Sequence, residues 1–180
     1  MELNMNQQRK SLRKLAEGGL IAALYTALTL SIPVASFGLT QLRVAEALTI
    51  LPIFTPTAIP GLAVGCMVSN LFGLAMGANI AGAWDVLFGS LATLLAAWMT
   101  YSLRKFRIKK LPVLATLPPI IINAAVIGLE LAVNIMGFTW LNYLTAALYV
   151  AAGQFVACCV FGLVLYSALN RSGAARGIFK

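Results

Sequence analysis

Three carboxylates and one guanidinium stand inside otherwise apolar stretches of this 180-residue chain: Glu46, Asp85 and Glu130, with Arg43. The other two of its five acids, Glu2 and Glu17, lie near the start. A charge near the centre of a bilayer costs at least about 2.5 kcal/mol, so such residues pair with one another or line a site. Arg43 and Glu46 are about one helical turn apart and read as a structural ion pair, as ligand contacts, or as both. Asn123, Glu130 and Asn134 recur at intervals of seven and four residues, which puts a polar stripe on one helix face. Asp85 belongs to a stripe of small residues, Ala78, Ala81, Gly82, Gly89, Ala92 and Ala96, over which a helix or a flat ligand can approach closely. Trp84 beside it is either an interfacial belt residue or a stacking face. Tyr143, Ala147, Gln154 and Cys158 share a further face, and an amide as deep as Gln154 needs a partner from protein, water or ligand.

Taken as ionised, three carboxylates less one guanidinium leave a formal charge of minus two. An amine or amidine complements that charge, and a carboxylate can accept two parallel N–H bonds from a guanine-like edge. The ligand these residues favour is small, flat and nitrogen-rich, and not an anion. Its candidate contacts are Arg43, Glu46, Trp84, Asp85, Asn123, Glu130, Asn134, Tyr143 and Gln154. Catalytic, metal and cofactor sites have no comparable support. Histidine is absent, and Cys66, Cys158 and Cys159 lack C-x-x-C spacing and read as buried packing residues. An intramembrane enzyme has little support, with no histidine, no evident metal cluster and no paired serine and base.

The elements that must hold these residues follow from the composition. With 61% hydrophobic and 10% charged residues, the chain has more apolar surface than a small soluble core would hide. Its net charge of +8 does not point to nucleic acid, because the basic residues fall in short clusters outside the apolar runs and lack interleaved aromatics. Those runs cover 18–36, 43–57, 59–77, 80–103, 111–137 and 141–169. The basic clusters are Arg9, Lys10, Arg13 and Lys14; then Arg104, Lys105, Arg107, Lys109 and Lys110; then Arg171, Arg176 and Lys180. Each is expected in the cytoplasm, so an even number of crossings must separate them. Splitting 43–77 near Thr55–Gly61, where Pro56 and Pro60 disfavour a continuous helix, satisfies that parity. The expectation is an all-α, multi-pass cell-membrane protein with six transmembrane helices and cytoplasmic N and C termini. It forms one integral membrane domain over 1–180 with a short basic segment at 1–17. The apolar run after the first basic cluster reads as a first spanning helix and not as a signal peptide, because further spans follow. Arg43, Glu46, Asp85 and Glu130 then all fall in the outer half. Pro56 and Pro60 end the short second helix and start the third in its first turn, and Pro52 is a candidate kink in the second.

No G-x-x-x-x-G-K-[ST] run occurs, so uphill transport by ATP needs another subunit. Gly19, Ala23 and Ala27 form a small-residue ladder on helix 1 suited to a close helix partner or to packing inside the bundle. The segments LRVAEALTILPIFTPTAIPGLAVGC, WDVLFGSLATLLAAWMTY and LPPIIINAAVIGLE resemble the QueT family of queuosine-precursor transporters, over nearly the whole chain. That resemblance implies a substrate-binding S component of an energy-coupling factor (ECF) transporter. It also implies partnership with a membrane T component and two cytoplasmic ATPases, an A-x-x-x-A contact to the T component at Ala23 and Ala27, and preQ1 or preQ0, 7-deazaguanine bases, as substrate. The alternatives are an S component for another vitamin and a stand-alone proton-coupled transporter of small cations, using Glu130 or Asp85.

Overall fold

The computed structural model describes residues 2–172, and within them every regular element is a helix. Helix α1 (Glu2–Ser31) breaks at Ile32 before the four-residue α2 (Pro33–Ser36). A 3₁₀ segment, Val44–Ile53, follows, then α3 (Ala58–Ala75) and α4 (Ala83–Ser102). After a 3₁₀ turn at Val113–Thr116, α5 (Leu117–Leu131) runs into a π-helical turn at Ala132–Met136. The last hairpin arm is α6 (Trp140–Gln154), a π-helical stretch Phe155–Phe161, and α7 (Gly162–Arg171). Arg176 and Lys180 of the third basic cluster lie outside the described residues.

Among the described residues, four helices are long and apolar enough to cross a membrane: Ala58–Ala75, Ala83–Ser102, Val113–Met136 and Trp140–Arg171. The other two of the six apolar runs differ for physical reasons. Charges occupy the first half of α1, and Val44–Ile53 has only ten residues. That segment is not the short α-helix expected. A 3₁₀ helix rises ~2.0 Å per residue against ~1.5 Å for an α-helix, so ten residues reach about 20 Å instead of about 15 Å. Pro52 lies inside the 3₁₀ run, and Pro60 falls in the first turn of α3 as expected.

The 3₁₀ segment is the hub of the bundle. Eight of its ten residues are buried, and it contacts α1, α3, α4, α7 and the Phe155–Phe161 stretch. Tyr25, Leu48, Leu51, Leu62, Cys66 and Ala97 form the apolar core around it, and Ile127, Leu131, Ala146 and Val150 form a second core between α5 and α6. Helices α1 and α3 pack closely because Gly61 and Gly65 face Gly18, Ala22 and Tyr25; a methyl at Gly65 would sit 2.9 Å from the Ala22 carbonyl oxygen. This is G-x-x-x-G packing. Outside, Leu87, Leu91, Trp98, Ile121 and Leu148 are exposed, the apolar exterior that a bilayer solvates.

Candidate functional site

Two of the buried charges, Arg43 and Asp85, form an ion pair at the centre of a hydrogen-bond network. Arg43 ends the α2-to-3₁₀ link in an extended conformation, φ −88° and ψ 107°. Its Nη2 donates to Asp85 Oδ2 at 2.7 Å, its Nε donates to the Ser36 carbonyl at 3.0 Å, and its Nη1 lies 3.7 Å from Cys66 Sγ. Phe37, fully buried, lies under the guanidinium, 5.1 Å from ring centre to Cζ. The Asn79 amide also donates to Asp85 Oδ2, at 2.9 Å, and the Asn70 amide donates to the Asp85 backbone carbonyl at 2.7 Å. Asp85 is wholly buried and Arg43 only 3% exposed, so the pair has little solvent screening. Gly89 makes this approach possible, since a methyl there would strike Asp85 Oδ1.

This geometry corrects the expected pair of Arg43 with Glu46. Arg43 precedes the 3₁₀ helix and does not share its surface, so its side chain reaches across to α4. Glu46, in the first 3₁₀ turn, instead accepts a 2.5 Å hydrogen bond from the Tyr25 hydroxyl on α1. Behind Glu46, Cys158 Sγ lies 3.7 Å from the Glu46 carbonyl and donates toward Gln154 Oε1 at 3.5 Å. Gln154 thus meets the underside of the network, at the point where α6 becomes π-helical.

A groove of about 380 Å³ opens beside the network, between α4 and α5. Its walls are Trp84, Phe88, Ala125, Val126, Leu129, Glu130, Val133 and Asn134. Trp84 is 59% exposed and stacks on Phe88 with ring centres 5.7 Å apart. Glu130 is 8% exposed, and neither of its carboxylate oxygens has a hydrogen-bond partner. Asn134 ties the groove to the network: its Nδ2 donates to the Ala81 carbonyl, the Ala81 N–H donates to Asn79 Oδ1, and Asn79 Nδ2 donates to Asp85.

The predicted residues therefore divide. Arg43, Glu46, Asp85 and Gln154 lie in the core; Trp84, Glu130 and Asn134 line the groove. Asn123 is buried on α5, 4% exposed, on the same side as Glu130. Asn134, within the π turn that begins at Ala132, lines the same groove as Glu130. Tyr143 stands apart in the first turn of α6, edge-on to Trp140. On α1, Gly19, Ala23 and Ala27 are exposed, while Gly18, Ala22 and Tyr25 make the bundle contacts. Cys66 and Cys158 are buried free thiols, as expected, and Cys159 is half-buried.

The sequence reading missed Tyr25, Gln41, Asn70 and Asn79. Asn70 carried a signal, as an amide in the middle of an apolar helix. Gln41 is buried with φ 45°, a left-handed conformation that costs a non-glycine residue about 1–3 kcal/mol and that clusters at functional sites.

A family model described as QueT transporter matches residues 15–171, most of the chain and all the residues just placed. The chain belongs to the QueT transporter family. Membership makes it a membrane transport protein. No curated protein and no solved structure matches it.

Proposed function

We propose that this QueT family member is the substrate-binding S component of an ECF importer and captures a queuosine precursor, preQ1 or preQ0, at the outer face of the cell membrane. In this reading six segments span the bilayer with both termini in the cytoplasm, which places the Arg43–Asp85 pair and the groove in the outer half. A T component and two ATPases supply the energy, and the exposed Gly19, Ala23 and Ala27 ladder on α1 is the face that meets the T component.

One observation carries the ligand class. Among the described residues, and apart from Glu17 at the cytoplasmic end, six buried side-chain N and O atoms lack partners, and five of them are acceptors: Glu46 Oε2, Asn70 Oδ1, Asp85 Oδ1 and both oxygens of Glu130. The one donor is Gln41 Nε2. Buried acceptors without donors are costly, so the missing partner is rich in N–H groups and poor in acceptors. A deazaguanine, with its row of N–H donors and one carbonyl, has that balance, and Trp84 offers a flat face for it.

The test is native mass spectrometry of the chain purified from cells, followed by equilibrium binding of preQ1 and preQ0. A co-purified deazaguanine, with uptake into vesicles only when T component and ATPases are added, is expected. Uptake by the chain alone, driven by a proton gradient, would replace this reading with the stand-alone transporter.

A further inference from the structure

We infer that residues 104–111 form an anchor for anionic phospholipid at the membrane surface, with Lys105, Lys109 and Lys110 meeting headgroup phosphates and Phe106 and Ile108 entering the boundary of the acyl chains. The inference goes beyond the transport reading and depends on neither the substrate nor the ECF partners.

The segment joins two helices long and apolar enough to span a membrane, Ala83–Ser102 and Val113–Met136, and is confined to the short connection between them. Trp98 is 57% exposed near the end of α4, and an exposed Trp at the end of a span marks the headgroup level. Beyond it the chain doubles back. The Ile108 N–H donates to the Leu111 carbonyl at 2.8 Å, and the Leu111 N–H donates to the Ile108 carbonyl at 3.0 Å. Arg104 lies over the Tyr101 ring, 3.8 Å from Cζ to the ring centre, and Arg107 lies over the Tyr166 ring of α7 at 5.1 Å. These two arginines hold the hairpin down against the bundle, close to the membrane surface. On either side of Arg107, Phe106 and Ile108 remain 57% and 48% exposed, large apolar side chains that the bundle does not take in.

Arg104, Lys105, Arg107, Lys109 and Lys110 put five cations into this short segment, and no acid stands between Asp85 and Glu130 to balance them. Among the described residues none of the five is in an ion pair, and the three lysines are exposed. The turn itself carries a second, independent observation. Lys109 and Lys110 have φ of 49° and 70°, left-handed at both central positions of a two-residue hairpin turn, where Asn-Gly is the favoured pair. Two lysines hold that backbone only at a cost, and strain of this kind collects at functional sites. Here it sets two adjacent cations at the hairpin tip. Cations interspersed with exposed apolar side chains fit an anionic bilayer surface, where phosphates attract the ammonium groups and the apolar groups leave water for the acyl boundary. An acidic protein surface would satisfy the lysines but not Phe106 and Ile108, and confinement between two spans keeps the hairpin where lipid headgroups are.

The experiment places the full chain in micelles holding equal amounts of phosphatidylglycerol and phosphatidylcholine and counts the retained lipids by native mass spectrometry. The native chain is expected to retain phosphatidylglycerol in preference. Lys109→Asn combined with Lys110→Gly suits the turn and removes both charges, so melting in lipid-free detergent should stay level or rise. The preference for phosphatidylglycerol should nevertheless fall, by about fivefold for each lysine. Phe106→Ser combined with Ile108→Ser should lower phosphatidylglycerol retention even in high salt, where screening has already weakened the lysine contribution. No preference in the native chain would overturn the inference, and so would an unchanged preference in the folded double-lysine variant. Unchanged retention after both apolar side chains are replaced would remove the contact with the acyl boundary. A double-lysine variant that keeps its lipid preference but no longer assembles with T component and ATPases would assign the hairpin to a protein partner instead.

Discussion

Neutralising Arg43 and Asp85 one at a time and then together tests the network at its centre. The Arg43→Gln chain leaves Asp85 Oδ2 with only the Asn79 amide, and the Asp85→Asn chain leaves the guanidinium facing no carboxylate. Both groups are almost fully buried, so removing one partner of the pair costs about 3–5 kcal/mol. In the double variant no charge is stranded. What it loses are the Arg43 bond to the Ser36 carbonyl, a charged hydrogen bond of about 1.5–3 kcal/mol, and the contact with Phe37, both of which the Arg43→Gln chain loses as well. The double variant should therefore be more stable than either single one, with a coupling of several kcal/mol. The assay is chemical unfolding in mixed micelles, with thermal melting to rank the variants. Arg43→Gln combined with Glu46→Gln is the internal control. Because Glu46 is held by Tyr25, that combination should show no recovery. Recovery in the Arg43–Glu46 pair, and additive losses in the Arg43–Asp85 pair, would refute the pairing described above.

Gly89→Ala should destabilise by about 1–3 kcal/mol, the usual range for overpacking, because the added methyl meets Asp85 Oδ1 and the Asn70 amide; unchanged melting would show that α4 has room there. Tyr25→Phe removes the hydroxyl that donates to Glu46 and should cost about 1.5–3 kcal/mol, the range for a hydrogen bond to a charged group, again read by unfolding in micelles. Ala27→Trp alters an exposed position on α1 and should impair transport with T component and ATPases while ligand affinity of the isolated chain stays within about twofold. A comparable loss of affinity would place that face inside the binding unit.

The four intramembrane charges were legible in the sequence because they are few, and their cost in lipid marks them as paired or functional. Their partners were not. The Arg43–Glu46 spacing implies a pair only if a helix already includes Arg43, and the extended backbone there sends the guanidinium to a residue 42 positions away. Contacts at that separation leave no periodic trace. The prolines did report correctly that the 43–57 run could not continue as an α-helix into 59–77, but not that Val44–Ile53 would become 3₁₀ and gain reach. Gly61 and Gly65 displayed their four-residue spacing openly. Asn134 lines the groove together with Glu130, as helical spacing suggested, although the π turn that holds it is announced by no residue type. The small-residue stripe on α4 was read as room for a helix or ligand; Gly89 uses that room for the Asp85 carboxylate itself.

Helix α1 connects the two halves of the proposed transport cycle. Successive residues of an α-helix are about 100° apart, so Gly18 and Ala22 face α3 while Gly19 and Ala23 face outward from the same turns. Tyr25 continues the inward side and holds Glu46, the carboxylate at the start of the 3₁₀ hub; Ala27 continues the outward side. The hub in turn touches α4, which carries Asp85 and Trp84, and the α6–α7 arm, which carries Gln154 and Cys158. A ligand that supplies donors to Glu46 thus acts on an element packed against the inner face of α1, and in the proposed assembly a partner docked on Gly19, Ala23 and Ala27 acts on its outer face. Neither needs to touch the other. Their coupling passes through one rigid helix, held to α3 by Gly61 and Gly65 with no side chain between the backbones, so a displacement of α1 carries the Tyr25–Glu46 bond with it.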